Sequence, residues 1–382
     1  MIKKIAWLCL CATLVSGCGG GGSTVASGVG SGGTGSYTSG PVTGLGSIIV
    51  NGIRYDVTSA GISDDEDSTG LDESSLKLGM FVDVDGSEVT AASTGQTATA
   101  TSVRLASDFI GQISAVAPSS SAPTSISLFG RTISIDSKTV YTAPINVGDY
   151  VVVYGLVSPA GYVATRIEKL NATPAVQKMS GVVRHLDDIP NTFTLGSQTI
   201  NYSLVSPLPT RVRNGSLVRV WVSPVQVGGI WTATKLRAPV ASVRDSKSAT
   251  VKGLIGTLTD QTSFVVNGIN VDASKVTLSG VLAEGSRIEV KGKMVNGVLA
   301  ATQVTTETQA DIANEEVELH GRAYSVTSSQ LTVRGVVVSY TPSVLLDGPV
   351  TALQCIEVKG TVYNAQNQLI ATEIKSDTGC KL

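Results

Sequence analysis

The chain has 382 residues, which is longer than one ordinary domain, so two or more folding units are expected. Apolar residues make up 42% and charged residues 15%, a balance that can build packed cores and excludes disorder throughout. The formal net charge is -2 and no basic cluster is visible, which argues against a nucleic-acid partner because phosphates require a face of lysine and arginine.

The first 17 residues have the organisation of a secretory signal peptide. Lys3 and Lys4 form a positive start, and the apolar stretch 5–15 is too short to span a bilayer as a permanent helix. It runs into the sequence LVSGC at 14–18, which resembles the lipobox of bacterial lipoproteins. This resemblance implies cleavage before Cys18, attachment of lipid to its thiol, and anchoring by acyl chains such as palmitate.

The segment 18–43 then predicts a lipidated cysteine followed by a flexible tether. Its Gly, Ser and Thr residues offer no side chains that could build a core. Gly19 stands where inner-membrane lipoproteins typically have aspartate, so the pattern favours the outer membrane. Both the periplasmic and the external face of that membrane stay possible locations for the folded part. The membrane, reached through the lipid, is the partner that this end of the chain predicts.

A four-residue motif, Ala-Thr-x-(Ile/Leu/Val), recurs five times, at intervals of 64 to 70 residues. It begins at Ala100, Ala164, Ala233, Ala301 and Ala371. Turn glycines such as Gly52 and Gly268, each after an asparagine, and alternating strands such as 288–292 fall in phase with it. Such regular recurrence indicates five copies of one unit.

Each copy has about five predicted strands and little helix. The predicted fold class is therefore all-β, a tandem array of about five small OB-like β-barrel domains after the tether, because closing each sheet removes its exposed edges. The predicted repeats are 44–107, 108–172, 178–240, 249–307 and 316–378. Units of this size are marginally stable alone, so neighbours are expected to pack or to share edges.

Two copies depart from this pattern in their strands. In repeat 1, the segment 44–46 runs almost directly into the hairpin, which predicts a shortened first strand. In repeat 5, Leu353 stands where the other copies have a glycine before the fourth strand.

The order Gly-x-Ile, apolar-Asn-Gly-apolar, Leu-x-x-Gly-x-x-Val-x-Val-x-Gly and Ala-Thr-x-Ile resembles a repeat of proteobacterial lipoproteins, domain of unknown function DUF5666. The resemblance covers copies one, two, four and five. Copy three differs, since Val222 replaces the closing glycine and Trp221 precedes it. The resemblance implies OB-like barrels and leaves the biochemical role open.

The acidic insertion 64–73 makes repeat 1 longer than the other copies. Asp65, Asp67 and Thr69 match the opening of a calcium loop, in which oxygen ligands alternate along the chain. The acid expected at the twelfth position is a leucine, and Glu73 would substitute only along a different loop path. Two interpretations stay open, a Ca²⁺ site formed by these four residues or a solvated hairpin insertion. No other cofactor is predicted.

Trp221 and Trp231 lie on consecutive predicted strands of repeat 3. Exposed on one sheet face, the two indoles would form a ligand face that stacks a sugar or a partner's side chain. Buried, they would cover the seam with a neighbouring repeat. His185 and His320 lie on first strands and are expected to be surface polar residues, because nothing nearby in sequence completes a metal site.

Two cysteines remain for the folded part. Cys9 and Cys11 leave with the signal peptide and Cys18 carries lipid, so Cys355 and Cys380 are left. In an oxidising compartment this pair predicts a disulfide.

No nucleophile elbow Gly-x-Ser-x-Gly and no phosphate loop with its lysine occurs in the sequence. The main hypothesis is therefore non-enzymatic: a lipid-anchored cell-envelope binding or scaffold protein whose partner is a glycan or an envelope protein. One alternative is a cell-wall or polysaccharide hydrolase, whose carboxylates would meet in space and not in sequence. The other is a calcium-stabilised surface repeat protein.

Overall fold

The computed structural model describes residues 35–380 apart from 94, 119–121, 143, 206, 210, 211 and 239–242. The lipidation predicted at Cys18 lies outside these residues. Within them the chain is almost entirely β-structure, and no helix there is long and apolar enough to cross a membrane.

The strands follow one another in five groups, one group for each repeat. Repeat 1 contains β1 (Ser36–Leu45), β2 (Ile48–Val50), β3 (Ile53–Asp56), β4 (Gly61–Asp64), β5 (Phe81–Gly86), β6 (Thr90–Ala92) and β7 (Gly95–Leu105). Repeat 2 contains β8 (Phe109–Gln112), β9 (Ala115–Ala117), β10 (Ser125–Leu128), β11 (Arg131–Tyr141), β12 (Tyr150–Ser158) and β13 (Gly161–Lys169). Repeat 3 contains β14 (Gln177–Asp187), β15 (Thr192–Leu195), β16 (Gln198–Asn201), β17 (Leu217–Val222) and β18 (Ile230–Arg237).

The last two groups are separated by the short helix α1 (Gln309–Asn314), capped by Thr308. Repeat 4 contains β19 (Ser246–Asp260), β20 (Ser263–Val266), β21 (Ile269–Asp272), β22 (Arg287–Val295) and β23 (Val298–Thr306). Repeat 5 contains β24 (Val317–Tyr324), β25 (Gln330–Val333), β26 (Val336–Ser339), β27 (Cys355–Tyr363) and β28 (Leu369–Ser376).

Each repeat closes into a five-stranded barrel with the same strand order. In repeat 4, β19 pairs with β20, β20 with β21, β21 in parallel with β23, β23 with β22, and β22 again with β19. The other repeats have the same order, with β8 and β9 together serving as the first strand of repeat 2. A closed five-stranded Greek-key barrel is the OB-like architecture. The predicted all-β fold of tandem OB-like barrels is confirmed.

The Ala-Thr motif lies on the last strand of each barrel, where it faces a bulge in the fourth strand. Its alanine is buried in all five copies. In repeat 4 the bulge falls between Lys291 and Gly292, and a Cβ at Gly292 would collide with the carbonyl of Ala300. The hydroxyl of Thr302 donates to the carbonyl of Lys291 at 3.2 Å. In repeat 4 the closing glycine thus lets the two strands approach each other closely at the bulge, whereas repeat 3 has Val222 at the corresponding bulge.

The glycine before the fourth strand has a positive φ in four copies. In repeat 4, for example, Gly285 has φ +80° and its N–H donates to the carbonyl of Ile255 on the first strand. Leu353 of repeat 5 keeps this geometry, with φ +67° and an N–H that donates to Ala323 at 2.7 Å. A leucine in the left-handed region is strained, so the hydrogen bond of the repeat is kept here at a conformational cost.

The first strand of repeat 1 is longer than predicted, and this prediction was wrong. β1 starts at Ser36, inside the predicted tether, and runs antiparallel to β5. It also pairs in parallel with β19 at its start and with β24 at its end. Its small side chains suit a strand covered on both sides, since a Cβ at Gly44 would meet Ile49 at 2.6 Å.

Repeat 1 packs on repeats that are distant in sequence. One apolar core joins repeats 1 and 5 and includes Tyr55, Val84, Leu319 and Val358. A second core joins repeats 2 and 3, and a third belongs to repeat 4 with Tyr37 of repeat 1 inserted. Neighbouring repeats do pack, as expected, but the contacts of repeat 1 with repeats 4 and 5 had no counterpart in the sequence analysis.

Candidate functional site

A cleft of about 1150 Å³ lies where repeats 1, 2 and 5 meet. Its walls are formed by the segments 73–78 of repeat 1, 140–142 and 144–147 of repeat 2, and 334–337 and 363–368 of repeat 5. Most of these residues belong to connections between strands, which the barrels hold in place. The cleft therefore exists only because distant repeats pack together.

The lining combines exposed apolar side chains with amides and tyrosines. Val147 is 62% exposed and Val337 is 39% exposed, both within the cleft. Asn146 and Gln366 add exposed amide groups, and Tyr141 adds an aromatic ring. Pockets of this kind, apolar with a few polar groups, are typical ligand sites.

Each cation on the walls of the cleft is paired with an acid. Lys77 and Arg166 contact Glu168 at 2.9 Å and 2.7 Å. Arg334 contacts Glu73 at 3.3 Å, and its Nε donates to the carbonyl of His320. Three cations thus share two acids, and these ion pairs hold the walls in position.

Asn367 fastens the wall of repeat 5 to that of repeat 2. Its backbone has φ +56°, and its side-chain oxygen accepts from the N–H of Tyr141 at 2.6 Å. Its amide nitrogen donates to the carbonyl of Thr139 at 2.8 Å. One side chain thus continues the hydrogen bonding of β11 across the boundary between the repeats.

A second inter-repeat surface is formed by residues 64–67, which we term the acidic strap. The strap leaves the barrel of repeat 1 and lies against β14, β17 and β18 of repeat 3. Asp65 is 1% exposed, and its Oδ2 contacts Nη1 of Arg219 at 3.1 Å. Glu66 contacts Lys178 at 2.7 Å, and Asp67 contacts Arg237 at 2.6 Å. The strap therefore links repeats 1 and 3 through charge pairs.

The four residues of the predicted calcium site do not come together. Asp65 and Asp67 bind cations of repeat 3, Glu73 binds Arg334 in the cleft, and Thr69 is exposed. Because these side chains lie in separate places, the structure does not bring together the ligand set that the calcium prediction requires. The alternative of a solvated insertion fits residues 67–70, which are exposed, but not Asp65, which is buried.

Of the two interpretations of the indoles, the covered seam is the one that their burial fits. Trp221 is 3% exposed and lies under the acidic strap, with Nζ of Lys178 and of Lys235 at 4.5 Å and 4.6 Å from its ring centroid. Such distances are typical of cation–π contacts. Trp231 is 9% exposed and packs edge-on against Phe129 of repeat 2 at 5.5 Å.

Burial changes the titration of the charged groups below the strap. Burial raises the pKa of Asp108, although Arg219 and Lys178 act in the opposite direction. Burial lowers the pKa of Lys178, against the attraction of Glu66. Charged groups are costly to bury singly, so this set of alternating charges is stable only as a complete network.

His185 is exposed, as predicted, but His320 has acidic neighbours that the sequence did not suggest. Nε2 of His320 lies 2.5 Å from Oε1 of Glu318, and Nδ1 lies 3.1 Å from Oδ2 of Asp377. Ligand atoms of Glu318, His320 and Glu357 lie within 4.8 Å of one another. Burial acts to raise the pKa of Glu318, but hydrogen bonds from His320 and Arg54 hold that pKa at about 2.

Cys355 and Cys380 form a disulfide, with their Cα atoms 5.8 Å apart. The bridge ties the start of β27 to the tail that carries Asp377, whose N–H donates to the carbonyl of Cys355 at 3.0 Å. The disulfide thereby helps to place Asp377 beside His320.

Comparison with known families agrees with the repeat structure. The family model described as Domain of unknown function (DUF5666) matches residues 39–103, 110–168, 237–305 and 320–375, which together exceed half of the chain. The segment between the second and third matches contains nearly all of repeat 3, the copy with Trp221 and Val222. No curated protein matches the chain. The four matches show that this chain belongs to the family described as Domain of unknown function (DUF5666).

Proposed function

We propose that this chain is a non-catalytic, lipid-anchored binding protein of the bacterial cell envelope, and that it binds a neutral glycan in the cleft between repeats 1, 2 and 5. The observation that carries the proposal is the cleft itself, about 1150 Å³ in volume and built by three barrels that pack together. Anchoring through Cys18 is supported by the lipobox-like sequence that ends there.

The chemistry of the lining favours a neutral sugar polymer over an anionic one. Lys77 and Arg166 both pair with Glu168 and Arg334 pairs with Glu73, so an anionic polymer would have to compete with acids that are already in place. Exposed amides such as Gln366 can donate to and accept from hydroxyls, and tyrosine rings such as Tyr141 offer an apolar face. Sugar rings bind proteins through these two kinds of contact, hydrogen bonds to their hydroxyls and packing against an aromatic ring.

Glycan binding is tested with the full chain on an array of neutral oligosaccharides. Val147→Asp places a charge in the cleft, and Val281→Asp is its matched control, since Val281 is 86% exposed and lies outside the cleft lining. We expect Val147→Asp to weaken binding at least about tenfold, a loss of about 1.4 kcal/mol, while Val281→Asp binds as the wild type does.

Equal affinities of the two variants, or no bound glycan on the array, would contradict the proposal. Release of shortened products from a bound glycan would contradict its non-catalytic part and favour the hydrolase alternative. Gln366→Ala serves as a second cleft variant, because an exposed amide can be removed without disturbing a core.

Anchoring is tested separately. Cells that produce the wild type or Cys18→Ser are labelled with radioactive palmitate and their membranes are fractionated. We expect the wild type to carry label and to sediment with the outer membrane, and the variant to lose both properties. Equal labelling of the two proteins excludes Cys18 as the lipid site.

A further inference from the structure

Strand β24 and its pairing with β27 place Glu318 and Glu357 beside His320. Glu318 and His320 are two residues apart on β24, so both side chains project from the same face of the sheet. Glu357 on β27 is directly opposite His320 in the antiparallel pair. Two paired strands therefore aim one imidazole and two carboxylates at a common point.

A third acid fixes the orientation of the imidazole. Oδ2 of Asp377 lies 3.1 Å from Nδ1 of His320, which directs Nε2 toward Glu318. A histidine that binds a metal through one ring nitrogen usually donates a hydrogen bond from its other ring nitrogen to a carboxylate. Asp377 occupies that second position here. Asp377 is itself held by the N–H of Gly379 and by the strand end at Cys355.

We propose that Glu318, His320 and Glu357 bind a divalent transition-metal ion, with Zn²⁺ as the representative ion, at the seam between repeats 1 and 5. A metal about 2 Å from each ligand separates the ligand atoms by roughly 3–4 Å. The three ligand atoms lie within 4.8 Å, so side-chain rotation brings them to that spacing. Imidazole nitrogen selects such ions over Ca²⁺ or Mg²⁺, which prefer oxygen alone.

Three cations of the chain compete with the metal. Arg54 of repeat 1 contacts Oε1 of Glu318 at 2.6 Å. Lys375 and Lys359 contact Glu357 at 2.8 Å and 3.9 Å. The metal takes the place of the proton between Nε2 and Glu318, and that proton leaves to solvent. Removal of Arg54 should therefore tighten metal binding, because one positive charge leaves the site.

The chain contains two histidines, which provides a matched control. Zn²⁺ is titrated into the full chain by calorimetry, with His320→Gln as the test and His185→Gln as the control. We expect one Zn²⁺ to bind to the wild type and to His185→Gln, and binding to be lost in His320→Gln. Asp377→Asn should weaken binding about 10–100-fold through the orientation of the ring, and Arg54→Gln should strengthen it.

A second measurement avoids the question of whether a variant folds. In imidazole nitrogen NMR spectra of the wild type, Zn²⁺ should shift the ring signals of His320 and leave those of His185 unchanged. Unchanged signals of His320 at millimolar Zn²⁺, or equal Zn²⁺ affinities of His320→Gln and His185→Gln, would overturn the proposal.

Discussion

Repeat 1 contacts repeat 5 and repeat 3 in different ways. The seam with repeat 5 combines main-chain pairing between β1 and β24 with an apolar core that both barrels share, and ion pairs such as that of Arg54 with Glu318 add to it. The contact with repeat 3 consists of charges, in which Asp65, Glu66 and Asp67 meet lysine and arginine around Trp221.

The difference shows how similar barrels come to occupy different places. Strand edges and apolar interiors are common to all copies, so by themselves they do not distinguish one partner from another. The acidic strap occurs only in repeat 1, and its target includes Trp221 in the copy that the family model does not match. Repeat 1, with its acidic strap, and repeat 3, with Trp221 and the cations around it, therefore differ from the common pattern in ways that fit each other. This complementarity selects repeat 3 as the partner of the strap.

The largest expected effect comes from breaking the strap at its buried charge. Asp65→Asn leaves Arg219 and Arg237 with fewer compensating charges in a closed site, and removing one partner of a buried pair costs about 4 kcal/mol. The free energy of unfolding from chemical denaturation measures this loss. Asp67→Asn is the control, because its carboxylate makes similar pairs but is 63% exposed. Equal losses for the two variants would show that burial of the strap does not matter.

On the seam, Leu319→Ala should have the next largest effect. Leu319 is 0% exposed and belongs to the core that repeats 1 and 5 share. The cavity should reduce the free energy of unfolding by about 3 kcal/mol. Repeats 1 and 5 should still unfold in one transition, which hydrogen exchange of the β1 and β24 amides can follow. Leu346→Ala, at a leucine 59% exposed, should change little. Independent exchange of the two strands would argue against a common core.

A smaller and opposite effect is expected at Leu353. Leucine with φ +67° costs roughly 1–2 kcal/mol relative to glycine, and the flexibility of glycine in the unfolded chain offsets part of that gain. Leu353→Gly should therefore raise the free energy of unfolding by about 0.5 kcal/mol. Leu346→Gly is the control, since Leu346 is exposed without a positive φ. A loss of stability in Leu353→Gly would contradict this expectation. It would mean that contacts of the leucine side chain stabilise the fold by more than the backbone strain destabilises it.

The smallest effect concerns Asp67. Hydrogen bonds from Lys235 and Arg237 lower the pKa of its carboxyl below the ordinary 3.8. A lowered pKa in the folded state gives stability that is present above 3.8 and is lost as the pH falls through the lower, folded value. The melting temperatures of the wild type and Asp67→Asn should therefore differ slightly at neutral pH. They should converge in strong acid or in concentrated salt. A difference that is unaffected by salt would contradict an electrostatic origin.

Sequence reasoning succeeded where the deciding interactions are local. The turn at Asn267 and Gly268 needs two residues with positive φ, and both angles, +53° and +81°, are observed. The period of the Ala-Thr motif revealed the barrels because the same bulge recurs in every copy. Cysteine counting left one pair, and the structure joins Cys355 to Cys380.

Sequence reasoning failed where the partners of a residue are distant from it along the chain. β1 was placed in the tether because its Ser, Thr and Gly residues carry no strand pattern, yet β5, β19 and β24 supply its hydrogen bonds. For Trp221, an exposed face and a covered seam both stayed open, because alternation along β17 says nothing about what covers the sheet. Of the acids around His320 only Glu318 is near it in sequence, because Glu357 and Asp377 are brought to it by strand pairing and by the tail.

The sequence by itself determined the number of repeats, the barrel class and the turns, because backbone geometry and alternation of side chains act within a few residues. Only the tertiary structure decided which barrels touch, which charges the acidic strap meets, and where a cleft opens. These outcomes depend on the complementarity of surfaces far apart in the chain. Neither the period nor the spacing of a repeat encodes that complementarity.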